Sequence, residues 1–519
     1  MKRILALALC LSLCFGLLGC VPEDREFVPS GGELIMDRPG DAQTPTEPEA
    51  EQELTLTFYA ERSMNPFYSN DFTNRALFSL LYQGLFSVNR EYEAVPILCE
   101  RYEMSRDMKT YTFHITADAT FSDGTPLTAK DVQASYYAAQ RSGFYGGRFT
   151  HIDSYWVDGN TIIFQLKHAM EDLPILLDIP VVKADQVSEA APLGSGPYTL
   201  NSTITSAYLR RVGTWWCADR VDLAVTADSI PLLPAQSPAQ IRDEFEFYDL
   251  DLVCTNPCSD LYADYRCDYE LWNCENGEMI FLACNVAHRE FFQSDALRSL
   301  LTYAIDRESI IDKYYQGFAR AVTLPASPLS PCYSAGLAAK YEYDPAKVAE
   351  AIQGIGLPDR PLVLLVNSDD TLRLQAARDI AAMLTELGIP TTVNAQAHES
   401  FLDHIYAGNY DLYLGCTRLS ANMDLSAFFA PGGDLSYNGV DDVDLYQLCL
   451  DALENHGNYM NLHQAVASDG RIVPLIFCGY AVYATRGVLS SLAPARDNVF
   501  YYTLGRTLED ALIAYDYYS

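Results

Sequence analysis

The residues that could do chemistry in this chain are few, and their spacing is loose. His398, Glu399, Asp403 and His404 share the stretch AHESFLDHI, where two imidazoles and two carboxylates offer a metal-binding composition. That stretch also reads as a helix start with its polar face outward, so solvation accounts for all four. Asp441, Asp442 and Asp444 have the oxygen chemistry of a hard-cation site, and they read equally as a charged loop. Ser195 stands between two glycines in LGSGPY, but it lacks the G-x-S-x-G elbow that exposes a nucleophile, and a turn explains it. No H-E-x-x-H, no phosphate loop ending in G-K-S/T and no G-x-G-x-x-G after a strand occurs. With 8 His in 519 residues and no nucleophile–base pair visible, the chain is expected not to be an enzyme. It is also expected to need no cofactor and no metal.

Cysteine is more abundant than that chemistry requires. Of 14 Cys, Cys10, Cys14 and Cys20 fall near the N-terminus, and five cluster as Cys254, Cys258, Cys267, Cys274 and Cys284. These spacings form no paired C-x-x-C array, so a zinc site is not indicated. One or two disulfides within 254–284 and inert buried thiols remain as alternatives.

The elements that must position any site are clearer. In FSDGTPLTAKDV, Asp123-Gly124 marks a turn, because Gly supplies positive φ. Thr128 and Asp131 have capping-box spacing, and Val132, Ser135, Tyr136 and Ala139 form one buried helix stripe. A strand, a turn and a capped helix are therefore expected in twelve residues. LTLTFYA, TYTFHI and TIIFQL alternate as strands do. DALRSLLTYAIDRESIIDKYYQG reads as an amphipathic helix pair ended by Gly317. LVLLVN, the helix after it and TTVNAQ form a β-α-β unit, which implies parallel strands. PLGSGPYTL, rich in Gly and Pro, suits a crossing between domains.

Composition bounds the partners. The net charge of −34 excludes a sequence-independent grip on nucleic acid, which needs Lys and Arg to displace phosphate counterions. It equally disfavours lying flat on an anionic membrane. Lys2 and Arg3 precede an apolar run from Ile4 to Leu18, shorter than the roughly 20 residues of a spanning helix, so it reads as a secretion signal. It ends in Leu17-Leu18-Gly19-Cys20, which resembles the lipobox of bacterial lipoproteins and makes Cys20 the expected lipidation site. Residues 21–53 carry ten acidic and two basic residues with five Pro, the composition of an extended tether.

The sequence ALFSLLYQGLFSVNREYEAVPILCERYEMSRDMKTYTFHITADATFSDGTPLTAKDVQASY, followed by GSGPYTL, YAIDRESII and FLDHIYAGNYDLYLG, resembles the extracellular solute-binding proteins of ABC importers, in the peptide- and nickel-binding class. The likeness runs in order through residues 54–495. It implies an α/β fold: a two-lobed clamshell, periplasmic-binding-protein-like, with an additional inserted α+β domain. The expected organisation is a signal peptide at 1–19 and a lipidated acidic linker at 20–53. Lobe I is built from 54–75, 194–281 and 475–519, the inserted domain from 76–193, and lobe II from 282–474. The implied role is capture of an oligopeptide or similar small solute between the lobes, with delivery to membrane permease subunits. The protein would act as a monomer outside the cell, held to the membrane through its lipid alone. A secreted enzyme or adhesin, or a ligand sensor, using the same body is the alternative.

The resemblance suggests cleft positions at Asn65 and Tyr68 after the first strand, Arg418, Asn422 and Asp424 after a late strand, and Tyr480 where the chain returns to lobe I. It also exposes a departure. Peptide binders of the family carry a W-x-x-D-Y-x-D-P segment whose first Asp pairs with the peptide's amino terminus. Aligning Asp424-Leu425 with the final pair places Ala421 at that position. Either a contact worth about 1.5–3 kcal/mol is lost, or Asp424 supplies it instead.

Overall fold

Alternation dictates the inserted domain. In the strands Thr110–Ile115 and Thr161–Leu166, every second side chain is buried, from Tyr111 and Phe113 to Ile162 and Phe164. With Cys99–Met104 and Ile152–Asp158 they form a four-stranded antiparallel sheet ordered 99–104, 110–115, 161–166, 152–158. The helix Ala129–Ala139 covers one face and buries Val132, Ser135, Tyr136 and Ala139, the stripe read from the sequence. Thr128 and Asp131 close a reciprocal capping box at its start, and Gly124 takes a φ of 81° in the preceding turn. The expected strand before that turn is reduced to one bridge between Thr120 and Pro126, because Pro126 has no N–H to continue a ladder.

The computed structural model describes residues 54–203, 206–257, 265–357, 359–489 and 491–513. The signal segment, Cys20 and the acidic linker lie outside them. Among the described residues no helix is long and apolar enough to cross a membrane.

Lobe I holds a second four-stranded sheet. Leu56–Phe58 lies parallel to Ser229–Pro234, with Leu56 opposite Leu232, and Ala207–Arg211 and Tyr198–Ser202 continue it antiparallel. The PLGSGPYTL stretch leads into this sheet under tight constraint: a Cβ on Gly196 would stand 2.6 Å from the carbonyl carbon of Leu81.

The largest sheet has seven strands. Its order is Leu252–Thr255, Ile472–Thr485, Tyr269–Cys284, Leu412–Arg418, Leu362–Asn367 and Thr391–Gln396, with Ala319–Ala321 also paired to 472–485. The 362–367 and 391–396 strands are parallel and joined by the helix Thr371–Glu386, as the β-α-β reading requires. Two elements dominate the connection between lobes. The 269–284 strand pairs by its first half with 479–485, and by its second half with both 472–477 and 412–418. Register slips between Glu275 and Met279, where Gly277 has a φ of 80°. A bulge of this kind bends and twists a strand.

The helix pair Asp295–Ala304 and Arg307–Tyr314 packs on the 362–367 side in a core of its own, with Leu297, Leu301, Ile310, Leu364 and Ile380. The helices Val443–Glu454 and Tyr459–Asp469, placed in lobe II by sequence, share an apolar cluster with the inserted domain. The Glu171 N–H donates to the Leu453 carbonyl at 2.8 Å across that seam.

The ten described body cysteines are all free thiols. Of the two alternatives for 254–284, unpaired thiols hold for Cys254, Cys267, Cys274 and Cys284, while Cys258 lies outside the described residues. Burial pushes the Cys274 thiol up to about 12, so it is protonated and unreactive at neutral pH.

Candidate functional site

Four arginines from three parts of the chain converge where the lobes meet. Arg75 ends the short helix Phe72–Ala76, whose first turn is capped by Asp71. Arg148 sits in the tight turn Gly146–Phe149 of the inserted domain. Arg418 is the last residue of the 412–418 strand, opposite Glu278 beside the bulge. Arg496 precedes Asp497 in the segment returning from the 472–485 strand.

Asp497 is the node. It pairs with Arg418 from lobe II and lies 3.5 Å from Nη2 of Arg148, which also pairs with Asp178. Burial alone would raise the Asp497 carboxyl, but Arg418, Arg496 and Arg148 together hold it far below the usual carboxylate range. Burial pulls Arg148 down to about 10, and Arg496 is lowered by burial and then by Arg418. Two cations lie over the Phe144 ring, Arg75 at 3.4 Å and Arg418 at 4.3 Å from its centre. Guanidinium planes stack well on aromatic faces, so this ring brings together three segments distant in sequence.

Two cavities flank the node. One of about 50 Å³ is lined by Arg75, Tyr145, Arg148, Asp178, Asp497 and Asn498, among others. The other, of about 20 Å³, lies against Arg90, Tyr92, Glu275, Arg320 and Arg496. There the buried Glu275 accepts from the Tyr92 hydroxyl at 3.2 Å, pairs with Arg320 at 3.1 Å, and is bonded by the Ser327 hydroxyl. Burial raises its carboxyl above the usual value.

Only Arg418, of the six cleft residues expected from the sequence, belongs to this cluster. Asn65 is fully buried and its amide is spent within the chain: it donates to the carbonyls of Val187 and Glu189 at 2.9 and 2.8 Å and accepts from Phe67 N–H. Tyr68 is 57% exposed. Asn422 is buried and accepts from the Ser420 hydroxyl at 2.6 Å. Tyr480 is a core residue of the 472–485 strand, its hydroxyl donating to the Ala495 carbonyl. Asp424 lies 2.8 Å from His151 Nε2 in the inserted domain and accepts from Ser426 N–H and hydroxyl at 2.9 and 2.7 Å. Its carboxylate is thus committed to a contact between domains, and Ala421 beside it is buried.

The residues that reading missed are Arg75, Phe144, Arg148, Arg496 and Asp497. One signal pointed to the last two: adjacent opposite charges in the segment after the apolar return strand Ile472–Thr485. Neither His398 with His404 nor the 441–444 acids form a metal cluster, and no metal-ready group of His, Cys, Asp or Glu occurs among the described residues. Asp442 instead caps the helix Val443–Glu454 and pairs with Arg471 at 2.6 Å.

Long strands connect the parts of the chain that carry these ionic side chains. The chain belongs to the bacterial extracellular solute-binding proteins, family 5, whose sequence model matches residues 93–434. It is 23% identical over 355 residues to the glutathione-binding protein GsiB of Escherichia coli K12, covering 64% of this chain and 67% of that protein. Among solved structures it is similar to the ABC transporter substrate-binding protein CtaP of Listeria monocytogenes, with a TM-score of 0.71 at 18% identity over 86% of this chain and 97% of that one. It is also similar to the oligopeptide-binding protein AppA of Bacillus subtilis in complex with a nonapeptide, with a TM-score of 0.61 at 18% identity over 88% and 100% of the two chains.

Proposed function

We propose that this protein is the capture component of an ABC importer, which encloses a peptide-sized solute between its lobes and passes it unaltered to a membrane permease. The observation that carries the reading is the Arg418–Asp497–Arg148 chain of ion pairs, which bridges lobe II, the returning segment of lobe I and the inserted domain. Groups arranged this way change partners when lobes separate, which is what a hinged binder needs. The 50 Å³ cavity has room for only a few waters, so a solute enters by opening of the hinge. The relatives named for glutathione and for a nonapeptide support a solute of peptide size. Lipidation of Cys20 and the acidic tether of 21–53 would keep the binder beside its permease at high effective concentration.

Native mass spectrometry of protein isolated from its own host tests the reading. A stoichiometric small molecule is expected, and adding it back should raise the melting temperature by mass action without its being consumed. Turnover of that molecule by pure protein would refute the proposal. Labelling with radioactive palmitate, lost on Cys20→Ser, tests the anchor separately.

A further inference from the structure

The gap between the lobes carries the wrong sign of charge for the molecule around it. The chain as a whole bears −34, yet at the node Arg75, Arg148, Arg418 and Arg496 face only Asp178 and Asp497. Widening the circle adds Arg90 and Arg320 against Glu275 and Glu278, which leaves the excess of two positive charges unchanged. Two of the guanidiniums have no carboxylate partner among the described residues. Arg75 is held by the carbonyls of Pro66 and Ser69 at 3.3 and 3.2 Å and by the Tyr145 hydroxyl at 2.9 Å, and it lines the larger cavity. Arg496, 4% exposed, donates to the Leu419 carbonyl, while its Nε is buried without a partner beside the smaller cavity.

Unpaired buried charge such as that of Arg496 is costly, and a structural role alone would be met as well by an apolar side chain of the same volume. The carboxylates tell the same story from the other side. Asp178 and Asp497 are bound by arginines, Glu275 by Arg320, and Asp424 by His151. An ammonium group entering here would meet guanidiniums and would find each of these carboxylates already engaged. A carboxylate would meet the Arg75 fork, which no carboxylate engages, with Arg148 lining the same cavity, in a recess where field lines are concentrated by low-dielectric walls.

We propose that the cleft selects anionic solutes, and that Arg75 and Arg148, with Arg418 closing from lobe II, hold a ligand carboxylate. The solute is a small molecule bearing carboxylates, acidic peptides included, and it needs no free amino terminus. This inference rests on the solute-binding reading above and specifies its ligand.

The test is calorimetric titration of the purified full-length protein with four probes: tri-glutamate, N-acetyl-tri-glutamate, tri-alanine and tri-lysine. Both glutamate peptides are expected to bind, with affinity that falls as salt rises, and the other two at least roughly tenfold more weakly, as one charge-assisted contact implies. Arg75→Gln, which strands no carboxylate, should weaken the glutamate peptides by about tenfold while leaving the weak binding of tri-alanine unchanged, a difference that a general loss of stability would not produce. Arg418→Gln should also weaken them, but with a lowered melting temperature because it strands Asp497, so Arg75→Gln carries the test and Arg418→Gln is the second reading if that variant folds poorly. Equal binding of tri-lysine, loss of binding on N-acetylation, or no response to either glutamate peptide would overturn the inference. A cationic or neutral solute found by native mass spectrometry would overturn it too, while leaving solute binding itself intact.

Discussion

Asp172 offers a sharp test of how the inserted domain meets the helices beyond it. Its carboxyl is buried at the seam where Glu171 bonds the Leu453 carbonyl, and its Oδ1 has no hydrogen-bond partner. Burial pushes it up to about 7, with Glu171 adding to the rise and the Ile175 N–H opposing it. The one cation within reach is His456, with Nε2 4.0 Å away, and burial lowers that imidazole, so it is neutral when Asp172 ionises. Tyr102, Tyr111, Tyr459 and Cys332 complete the surroundings, all uncharged in this range. The sign follows from the raised value. The folded state holds the proton more tightly than the unfolded chain, so the protonated carboxyl costs nothing below the unfolded value of about 4. Stability is then lost as pH rises from about 4 to about 7 and stays lost above. A rise from 3.8 to about 7 sets a ceiling of about 4 kcal/mol. Asp172→Asn keeps the shape and removes the ionisation. It should exceed the parent protein by about 1 kcal/mol in stability at pH 4.5 and by about 2–4 kcal/mol at pH 8, read from the urea midpoint. An Asn variant no more stable than the parent at pH 8 would refute the reasoning.

Three further substitutions probe the scaffold. Gly194→Ala would drive a Cβ into the Leu81 carbonyl oxygen, and should lower stability by about 3 kcal/mol in a denaturant titration, the upper range for overpacking. Asp411 is fully buried and binds Arg289, Arg360 and the Val363 N–H at 2.5, 2.6 and 2.7 Å; Asp411→Ala should cost about 3 kcal/mol, discounted because both arginines reach solvent. Burial opposes but these partners hold its carboxyl below the usual value, so in the parent its contribution should fade as pH drops through that lowered range, while the Ala variant shows no such loss. Thr128→Ala breaks one capping box and should cost about 1 kcal/mol by thermal melt, with solute binding unchanged.

What the sequence made legible was local. Period-two alternation located 110–115 and 161–166 to the residue, and cap, stripe and turn glycine located the helix Ala129–Ala139. Each of those signals is complete within a dozen residues. The pairing of Leu56 with Leu232, and of both long strands across the bulge, depends on partners far away in sequence and leaves no local trace. The site suffers most from this. Arg148 and Asp497 are 349 residues apart, and His151 and Asp424 are 273 apart. The sequence reading places Asn65 after the first strand and Tyr480 where the chain returns to lobe I, but side-chain direction sent their polar atoms to backbone carbonyls. Arg418 was legible because it ends an apolar strand, a signal carried by the local sequence.

The node also bears on how binding and closure are coupled. Asp497 sits on the returning segment of lobe I, and Arg418 reaches it from lobe II at the end of the strand that flanks the bulge. A Cβ on Gly277 would stand 2.6 Å from the Arg496 guanidinium, so the bulge, Arg496 and Asp497 form one packed unit. Opening the lobes must part Arg418 from Asp497 and move the bulge against Arg496 together. A solute shifts the hinge only by the difference in its affinity for the two arrangements. Because Asp497 already satisfies Arg418 when the lobes touch, a ligand carboxylate drives closure mainly through the guanidinium charge that Asp497 leaves over, which is the charge of Arg75. On the proposed reading, Arg418 would set how firmly the lobes hold, and Arg75 which solute holds them.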